Sequence, residues 1–162
     1  MENGTYRILT LNPGSTSTKV ALFENGVESW SDTQRYDVDV IRSYARVMDQ
    51  EEFRLEAIRE ALKRHDTAVS SLDAVVGRGG LLKPIPGGTY LVEPAMIEDL
   101  KSCRWGSHAS NLGAPLAIHL SKEAGNIPAF IVDPVVVDEL IPEARLSGIP
   151  EIERRSIFHA LN

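Results

Sequence analysis

The sequence predicts an α/β domain in which helices pack against a mixed β-sheet. Two observations lead to this prediction. Three strand-like segments follow one another at the start of the chain, and apolar strands then alternate with segments of helical period. A length of 162 residues, with 43% hydrophobic and 25% charged residues, is typical of one globular domain.

The first three segments predict an antiparallel meander. Arg7 to Asn12 and Ser17 to Glu24 are the first two strands, separated by a Pro-Gly turn. Asn25-Gly26 is a strong tight-turn signal, and a third strand is expected to run from Val27 to about Tyr36. Alternation along the second strand would place Ser17 and Lys19 on one side of the sheet, and Val20 and Leu22 on the other.

The middle of the chain predicts a helix and a buried strand. Asp49 can act as an N-cap, with Glu52 three residues later, and apolar residues recur at helical spacing through Arg64, at Leu55, Ile58 and Leu62. The apolar run from Ser71 to Gly77 is typical of a strand inside a parallel or mixed sheet. A helix between two strands implies a crossover connection.

The second half continues the alternation. Gly77 to Gly88 is a loop rich in glycine and proline, followed by a short strand over Thr89 to Val92. Helices are expected over Pro94 to Leu100 and after Asn111, which can act as an N-cap. A strand from Ile127 to Asp133 and a last helix complete the order, which fits a ribonuclease H-like, actin-like domain.

Composition limits the classes of partner. The net charge of -6 argues against binding to nucleic acid or an anionic membrane. Cys103 has no second cysteine with which to form an internal disulfide, and no leader or long apolar span is visible. The sequence therefore predicts a cytoplasmic protein.

The first turn of the chain is rich in groups that bind phosphate. Gly14 is flanked in sequence by four polar residues, Asn12, Ser15, Ser17 and Lys19. Their side-chain donors and the N–H groups of a glycine turn suit a phosphate, because a phosphate offers only acceptors and negative charge. The motif is not a P-loop, because Thr rather than Gly precedes the lysine. The alternative interpretation is a Ser/Thr-rich edge hairpin with a solvated lysine.

Four further residues are candidates for chemistry. Arg78 stands where a buried strand meets the Gly-rich loop, and its guanidinium can bind a carboxylate or phosphate; the alternative is a surface arginine in a turn. Asp133 ends an apolar strand and can contact Mg²⁺, or can cap a helix after Pro134. His108 and His159 can stabilise a phosphoryl group, or can be structural histidines.

The run LNPGSTSTKVALFENG, residues 11–26, resembles the opening of the butyrate kinase and acetate kinase family, part of the acetate and sugar kinase, heat-shock ATPase and actin superfamily. The likeness to butyrate kinases continues through VVGRGGLLKPIPGGTYLV, HASNLGAPLA, FIVDPVVVDEL and RRSIFHALN, so it extends over essentially the whole chain. Acetate kinases have an arginine at a spacing that falls here on Val75, and Arg78 would replace it from a neighbouring position.

The resemblance implies ATP and Mg²⁺ as cofactors. Nucleotide phosphates would be bound by the residues of the first turn, Asn12, Gly14, Ser15, Ser17 and Lys19. The transferring group would be surrounded by Arg78, His108, Asp133 and His159, and Asp133 would also contact the metal.

The functional hypothesis is transfer of the ATP γ-phosphoryl group to butyrate or a relative such as isobutyrate. Butyrate kinases resemble two stacked actin-like domains, and residues 1–162 resemble the first, so we expect the second to be absent and this chain to be inactive alone. We also expect self-association. The alternative hypothesis is a non-catalytic phosphate-binding or dimerisation module. A third hypothesis, that the chain is half of a sugar kinase, is the least favoured of the three.

Overall fold

The computed structural model describes residues 4–157, so His159 lies outside the described residues. Within that range six strands form one sheet: β1 (Arg7–Pro13), β2 (Ser17–Glu24), β3 (Val27–Arg35), β4 (Ala74–Arg78), β5 (Thr89–Leu91) and β6 (Ala129–Val132). The described α-helices are α1 (Val38–Arg42), α2 (Glu51–Arg64), α3 (Pro94–Lys101) and α4 (Gly113–Glu123). Short 3₁₀-helices lie at Val47–Gln50, Val69–Ser71, Ala109–Leu112 and Pro142–Arg145.

The sheet is mixed, as predicted. Its strand order is β3-β2-β1-β4-β6-β5, with β1, β4 and β6 parallel to one another and β2, β3 and β5 antiparallel to their neighbours. The antiparallel meander at the start of the chain is confirmed. A parallel sheet extends from one side of this meander, and β5 closes its far edge.

Two predicted helix caps and one predicted helix are wrong. Asp49 lies in a 3₁₀-helix, where its carboxylate accepts from the backbone N–H of Arg46, and Gln50 is the N-cap of α2. Asn111 also lies in a 3₁₀-helix and does not cap α4, because its side chain bonds to loops instead. The last predicted helix does not form within the described residues, because residues 134–137 make a turn and only the short 3₁₀-helix Pro142–Arg145 follows β6. The alternative interpretation of Asp133 as the cap of that helix is therefore excluded.

The core lies between one face of the sheet and the two longest helices. Strand residues on that face are almost completely buried, namely Leu9, Leu11, Val20, Leu22, Val75 and Ile131. They pack with the apolar stripes of α2 and α4, including Leu55, Ile58, Leu62, Leu116 and Leu120. Burial of the predicted stripe of α2 is therefore confirmed.

The opposite face of the sheet is more open. Its side chains alternate with those of the core, and Ile8, Thr10, Val76 and Phe130 are only half-buried. None of these four belongs to the core of the described residues. We call this surface the open face, and it ends at the candidate site.

Candidate functional site

The candidate site lies where three parallel strands end. Asn12 is near the end of β1, Arg78 is the last residue of β4, and Asp133 follows β6 directly. Together they line a cleft of about 340 Å³, with the ends of the same strands forming its walls. Because the carboxyl ends of parallel strands meet at one edge of a sheet, residues far apart in sequence converge here.

Arg78 is directly connected to the first strand. Its Nη1 donates to Asn12 Oδ1 at 3.2 Å, so the two predicted side chains meet across neighbouring strands. Arg78 is half-buried and lies on the same face of the sheet as Val76, whereas Val75 is completely buried on the core face. At this end of β4, position 78 therefore lines the cleft and position 75 does not.

Asp133 is fixed by two hydrogen bonds to a glycine of the Gly-rich loop. Its Oδ1 accepts from the backbone N–H of Gly88 at 2.7 Å, and its own N–H donates to the Gly88 carbonyl at 3.0 Å. Its φ of 38° lies in the left-handed region, which non-glycine residues seldom adopt and which is often found at functional sites. The loop and the end of β6 therefore hold each other in place.

Two glycines bring α4 against the floor of the cleft. A Cβ added to Gly113 would lie 2.0 Å from the Arg78 carbonyl oxygen, and one added to Gly77 would lie 2.2 Å from the Gly113 carbonyl oxygen. Either side chain would force α4 and β4 apart. Absence of both side chains sets the position of Arg78 relative to the helix.

Three carbonyl groups at the turn between β1 and β2 accept hydrogen bonds. The Thr16 carbonyl accepts from Tyr36 N–H at 2.9 Å, the Ser17 carbonyl from Gly14 N–H at 2.7 Å, and the Ser15 carbonyl from an arginine side chain at 3.4 Å. Within residues 4–157 the backbone N–H groups of Ser15 and Thr16 make no hydrogen bond, and both residues are exposed. Such a turn presents donors to solvent and suits an anion.

Lys19 lies beside Asn12 on the same face of the sheet. The two residues are directly opposite each other in the β1–β2 ladder, and side chains at such positions project to the same side. Val20 and Leu22 are buried on the other face, so the predicted alternation is confirmed. Lys19 and Ser15 are not among the residues that line the cleft, although Asn12, opposite Lys19 in the ladder, does line it.

His108 does not line the cleft. Its Nδ1 accepts from Ser110 N–H at 3.2 Å and caps the 3₁₀-helix that begins at Ala109. The same helix contains Asn111, whose Oδ1 accepts from Leu81 N–H at 2.9 Å and joins this segment to the loop after Arg78. In neutral His108 the proton is therefore on Nε2, which can donate.

Sequence reasoning missed Arg54 completely. Its side chain is completely buried, and it donates to the Ser15 and Ser17 carbonyls of the turn at 3.4 and 3.0 Å. A signal was present, because Arg54 falls four residues before Ile58 and so lies in a buried row of α2. A charged residue at such a position needs a polar partner inside the protein.

Residues 4–157 contain neither a cluster of metal-binding side chains nor a membrane-spanning helix. No group of three or more His, Cys, Asp or Glu side chains could bind a metal ion by itself in this part of the chain. In the same range, no helix has the length and apolar character needed to cross a membrane.

Comparison with known proteins identifies the type of fold. No protein-family model matches the sequence. Solved structures similar to this chain include the acetate kinase of Porphyromonas gingivalis, with a TM-score of 0.61 and 17% identity over 95% of this chain and 45% of that one. A propionate kinase from Francisella tularensis subsp. tularensis SCHU S4 has a TM-score of 0.53 and 15% identity, over 90% of this chain and 41% of that one.

The fold therefore resembles that of part of these two kinases, and the predicted α/β class with a mixed sheet and flanking helices is confirmed. At these identities the likeness shows the fold alone. The chain spans less than half the length of either kinase.

Proposed function

We propose that this chain is the first domain of an ATP-dependent carboxylate kinase of the butyrate kinase type. The observation that supports it most directly is the meeting of Asn12, Arg78 and Asp133 in one cleft. The cleft lies in a fold shared with acetate and propionate kinases, beside a turn that presents N–H donors. The reaction would transfer the γ-phosphoryl group of ATP to a short-chain carboxylate and give an acyl phosphate and ADP.

The lining of the cleft suits a carboxylate with a short apolar chain. Arg78 and Asn12 offer polar groups at one side, and Val76 and Val132 are among the apolar lining residues. A guanidinium can bind a carboxylate through two hydrogen bonds, while the valines give the alkyl chain an apolar surface. Butyrate and isobutyrate are therefore the substrates that we propose to test first.

The protein would act by positioning and by supplying charge. The turn from Gly14 to Ser17, with Lys19, would bind the nucleotide phosphates, and Arg78 would hold the acceptor carboxylate or the transferring group. A carboxylate oxygen attacks the γ-phosphorus in line, the bond to the bridging oxygen breaks, and ADP leaves with the electron pair. This step requires no nucleophile from the protein.

Asp133 fits a magnesium ion that is shared with nucleotide phosphates. Its Oδ1 is engaged by Gly88 N–H, and its second carboxylate oxygen remains as a ligand at the cleft. Mg²⁺ is commonly bound by one or two carboxylates together with phosphate oxygens, where it neutralises phosphate charge. His108 and His159 stay candidates for donors to the transferring group.

A second domain is part of this proposal. Closure of two domains excludes water from the reacting groups, and the cleft is open in the domain described. We expect the 162-residue chain alone to turn over far more slowly than the same chain with a second kinase domain. Self-association through the half-exposed apolar residues of the open face stays a prediction.

The test is hydroxamate trapping of acyl phosphate from ATP, Mg²⁺ and butyrate. The chain is assayed alone and after mixing with a separately expressed second domain of a butyrate kinase. Activity on mixing, lost in Arg78→Ala, is the expected result. Unchanged turnover in Arg78→Ala would remove Arg78 from the mechanism, and activity of the single chain comparable with that of a two-domain kinase would contradict the need for a second domain.

The rival function is a non-catalytic phosphate-binding module. It is favoured by one finding, that the turn with exposed N–H groups is not part of the lining of the cleft that contains Arg78 and Asp133. Calorimetry distinguishes the two, because ATP binding without activity in any mixture supports the module.

A further inference from the structure

Arg54 is the most unusual ionised group in the described part of the chain. It belongs to α2, yet its side chain is completely buried, 0% exposed. Burial lowers the pKa of this arginine below its ordinary value, but an arginine stays charged in proteins. A charge in that position costs free energy unless hydrogen bonds and an opposite charge compensate it.

The hydrogen bonds are present. Nε and Nη2 donate to Gln50 Oε1 at 3.1 and 2.9 Å, Nη1 donates to Thr18 Oγ1 and to the Ser17 carbonyl, both at 3.0 Å, and Nη2 reaches the Ser15 carbonyl at 3.4 Å. The guanidinium also lies 5.0 Å from the centroid of the Tyr36 ring. All these partners are neutral.

The opposite charge is missing from the described residues. Among residues 4–157, no Asp or Glu forms an ion pair with Arg54. The neighbouring arginine of the same helix, Arg59, is in contrast paired with Glu52, Glu56 and Glu123. A buried cation without a counter-ion therefore lies directly behind the turn.

The direction of its hydrogen bonds explains the shape of that turn. Arg54 draws the carbonyl oxygens of Ser15 and Ser17 toward the interior, and Tyr36 N–H holds that of Thr16. In the peptide group that joins Ser15 to Thr16, the oxygen faces Arg54, so the Thr16 N–H lies on the opposite side and is presented to solvent. Three oxygens that would repel an anion are thereby turned away from it.

We propose that Arg54 is the positioning residue of the phosphate-binding turn and that a phosphate bound at Ser15–Thr16 supplies its missing counter-charge. The inference rests on the proposed function, because it assigns the nucleotide phosphates to this turn. Arg54 itself does not touch the nucleotide. It acts through the Ser15 and Ser17 peptide groups and through its charge.

The test compares Arg54→Met with Arg59→Met in the full 162-residue chain. Both variants remove an arginine from α2, but the second lies in a surface ion-pair network away from the turn. Two quantities are measured for each variant. One is the affinity for ATP·Mg²⁺ by calorimetry, and the other is amide hydrogen exchange at Gly14 and Tyr36, whose N–H groups bond to the turn carbonyls.

We expect Arg54→Met to weaken ATP·Mg²⁺ binding about ten- to hundredfold, as for loss of hydrogen bonds from a charged group, and to speed exchange at Gly14 and Tyr36 at least about tenfold. Arg59→Met should change neither. Methylguanidinium added to Arg54→Ala should restore part of the affinity, which a general loss of stability would not allow.

Each other outcome has a defined meaning. Faster exchange with unchanged ATP affinity overturns the inference, because Arg54 would then be purely structural. If the unmodified chain binds no ATP, the proposed nucleotide site is wrong. If amide exchange at Gly14 and Tyr36 is unchanged in Arg54→Met, Arg54 does not shape the turn. If Arg54→Met does not fold, the ATP affinity of Arg54→Lys is measured instead. An ammonium cannot replace the five donors of a guanidinium, so an affinity within about twofold of that of the unmodified chain overturns the inference.

Discussion

Replacing Gly113 by alanine tests how tightly the cleft floor is set. The new Cβ would lie 2.0 Å from the Arg78 carbonyl oxygen, while ordinary contacts begin at 3.4 Å, so α4 and β4 must separate by about 1.4 Å. Overpacking of this kind costs about 1–3 kcal/mol. The better helix propensity of alanine offsets little of it, because position 113 is the first residue of α4.

The assay is thermal unfolding together with ATP-dependent acyl phosphate formation in the two-domain mixture. A loss of about 1–3 kcal/mol should lower Tm by roughly 2–12 °C in a domain of this size, and activity should fall as Arg78 moves. Gly4→Ala is the matched control, because a Cβ there meets nothing within 4 Å. A Tm for Gly113→Ala equal to or above that of the control would refute the close approach of α4 to β4.

The remaining predictions concern charges. Arg78→Lys should lower kcat/KM in the hydroxamate assay by about 10- to 150-fold, because an ammonium cannot bind a carboxylate or phosphate bidentately. Arg104→Lys, at an exposed arginine, is the control. Equal kcat/KM in the two variants would contradict the role of Arg78 in substrate binding. Asp133→Asn keeps an oxygen for Gly88 N–H but removes the charge, so calorimetry should show weaker binding of ATP·Mg²⁺ and no weaker binding of metal-free ATP. Equal losses for both ligands would contradict the magnesium role. The Arg145 guanidinium holds the pKa of Asp138 below its usual value, so this pair stabilises the fold above about pH 4 and its contribution is lost as pH falls through the lowered pKa. In urea titrations Asp138→Asn should remove that part of the acid-induced loss, and an unaltered pH profile would contradict it.

Local patterns predicted most of the fold. Alternation and the Asn25-Gly26 turn signal gave the meander, and helical spacing gave α2, because these features depend on neighbours in sequence. Helix ends were less predictable. Asn111 has the chemistry of an N-cap, but Leu81 and Gly106 compete successfully for its side chain, and no local pattern shows loops that approach from elsewhere.

Those parts of the candidate site that depend on neighbours in sequence were predictable, and those that depend on distant contacts were not. Asn12, Arg78 and Asp133 each lie at or next to the end of a strand, so their convergence follows once the strands are known to be parallel. Arg54 could not be placed in this way, because its carbonyl partners lie 37 and 39 residues earlier in the chain. The left-handed conformation of Asp133 likewise depends on its bonds to Gly88, 45 residues away.

Binding of nucleotide phosphates at the turn between β1 and β2 underlies both the proposed function and the role of Arg54. The most direct measurement is a ¹⁵N NMR titration of the 162-residue chain with ATP·Mg²⁺ and, separately, with adenosine. We expect saturable shifts of the Ser15, Thr16 and Lys19 amide signals with ATP·Mg²⁺, and no shift of these signals with adenosine. Absence of shifts at this turn while ATP·Mg²⁺ shifts amides elsewhere would contradict it.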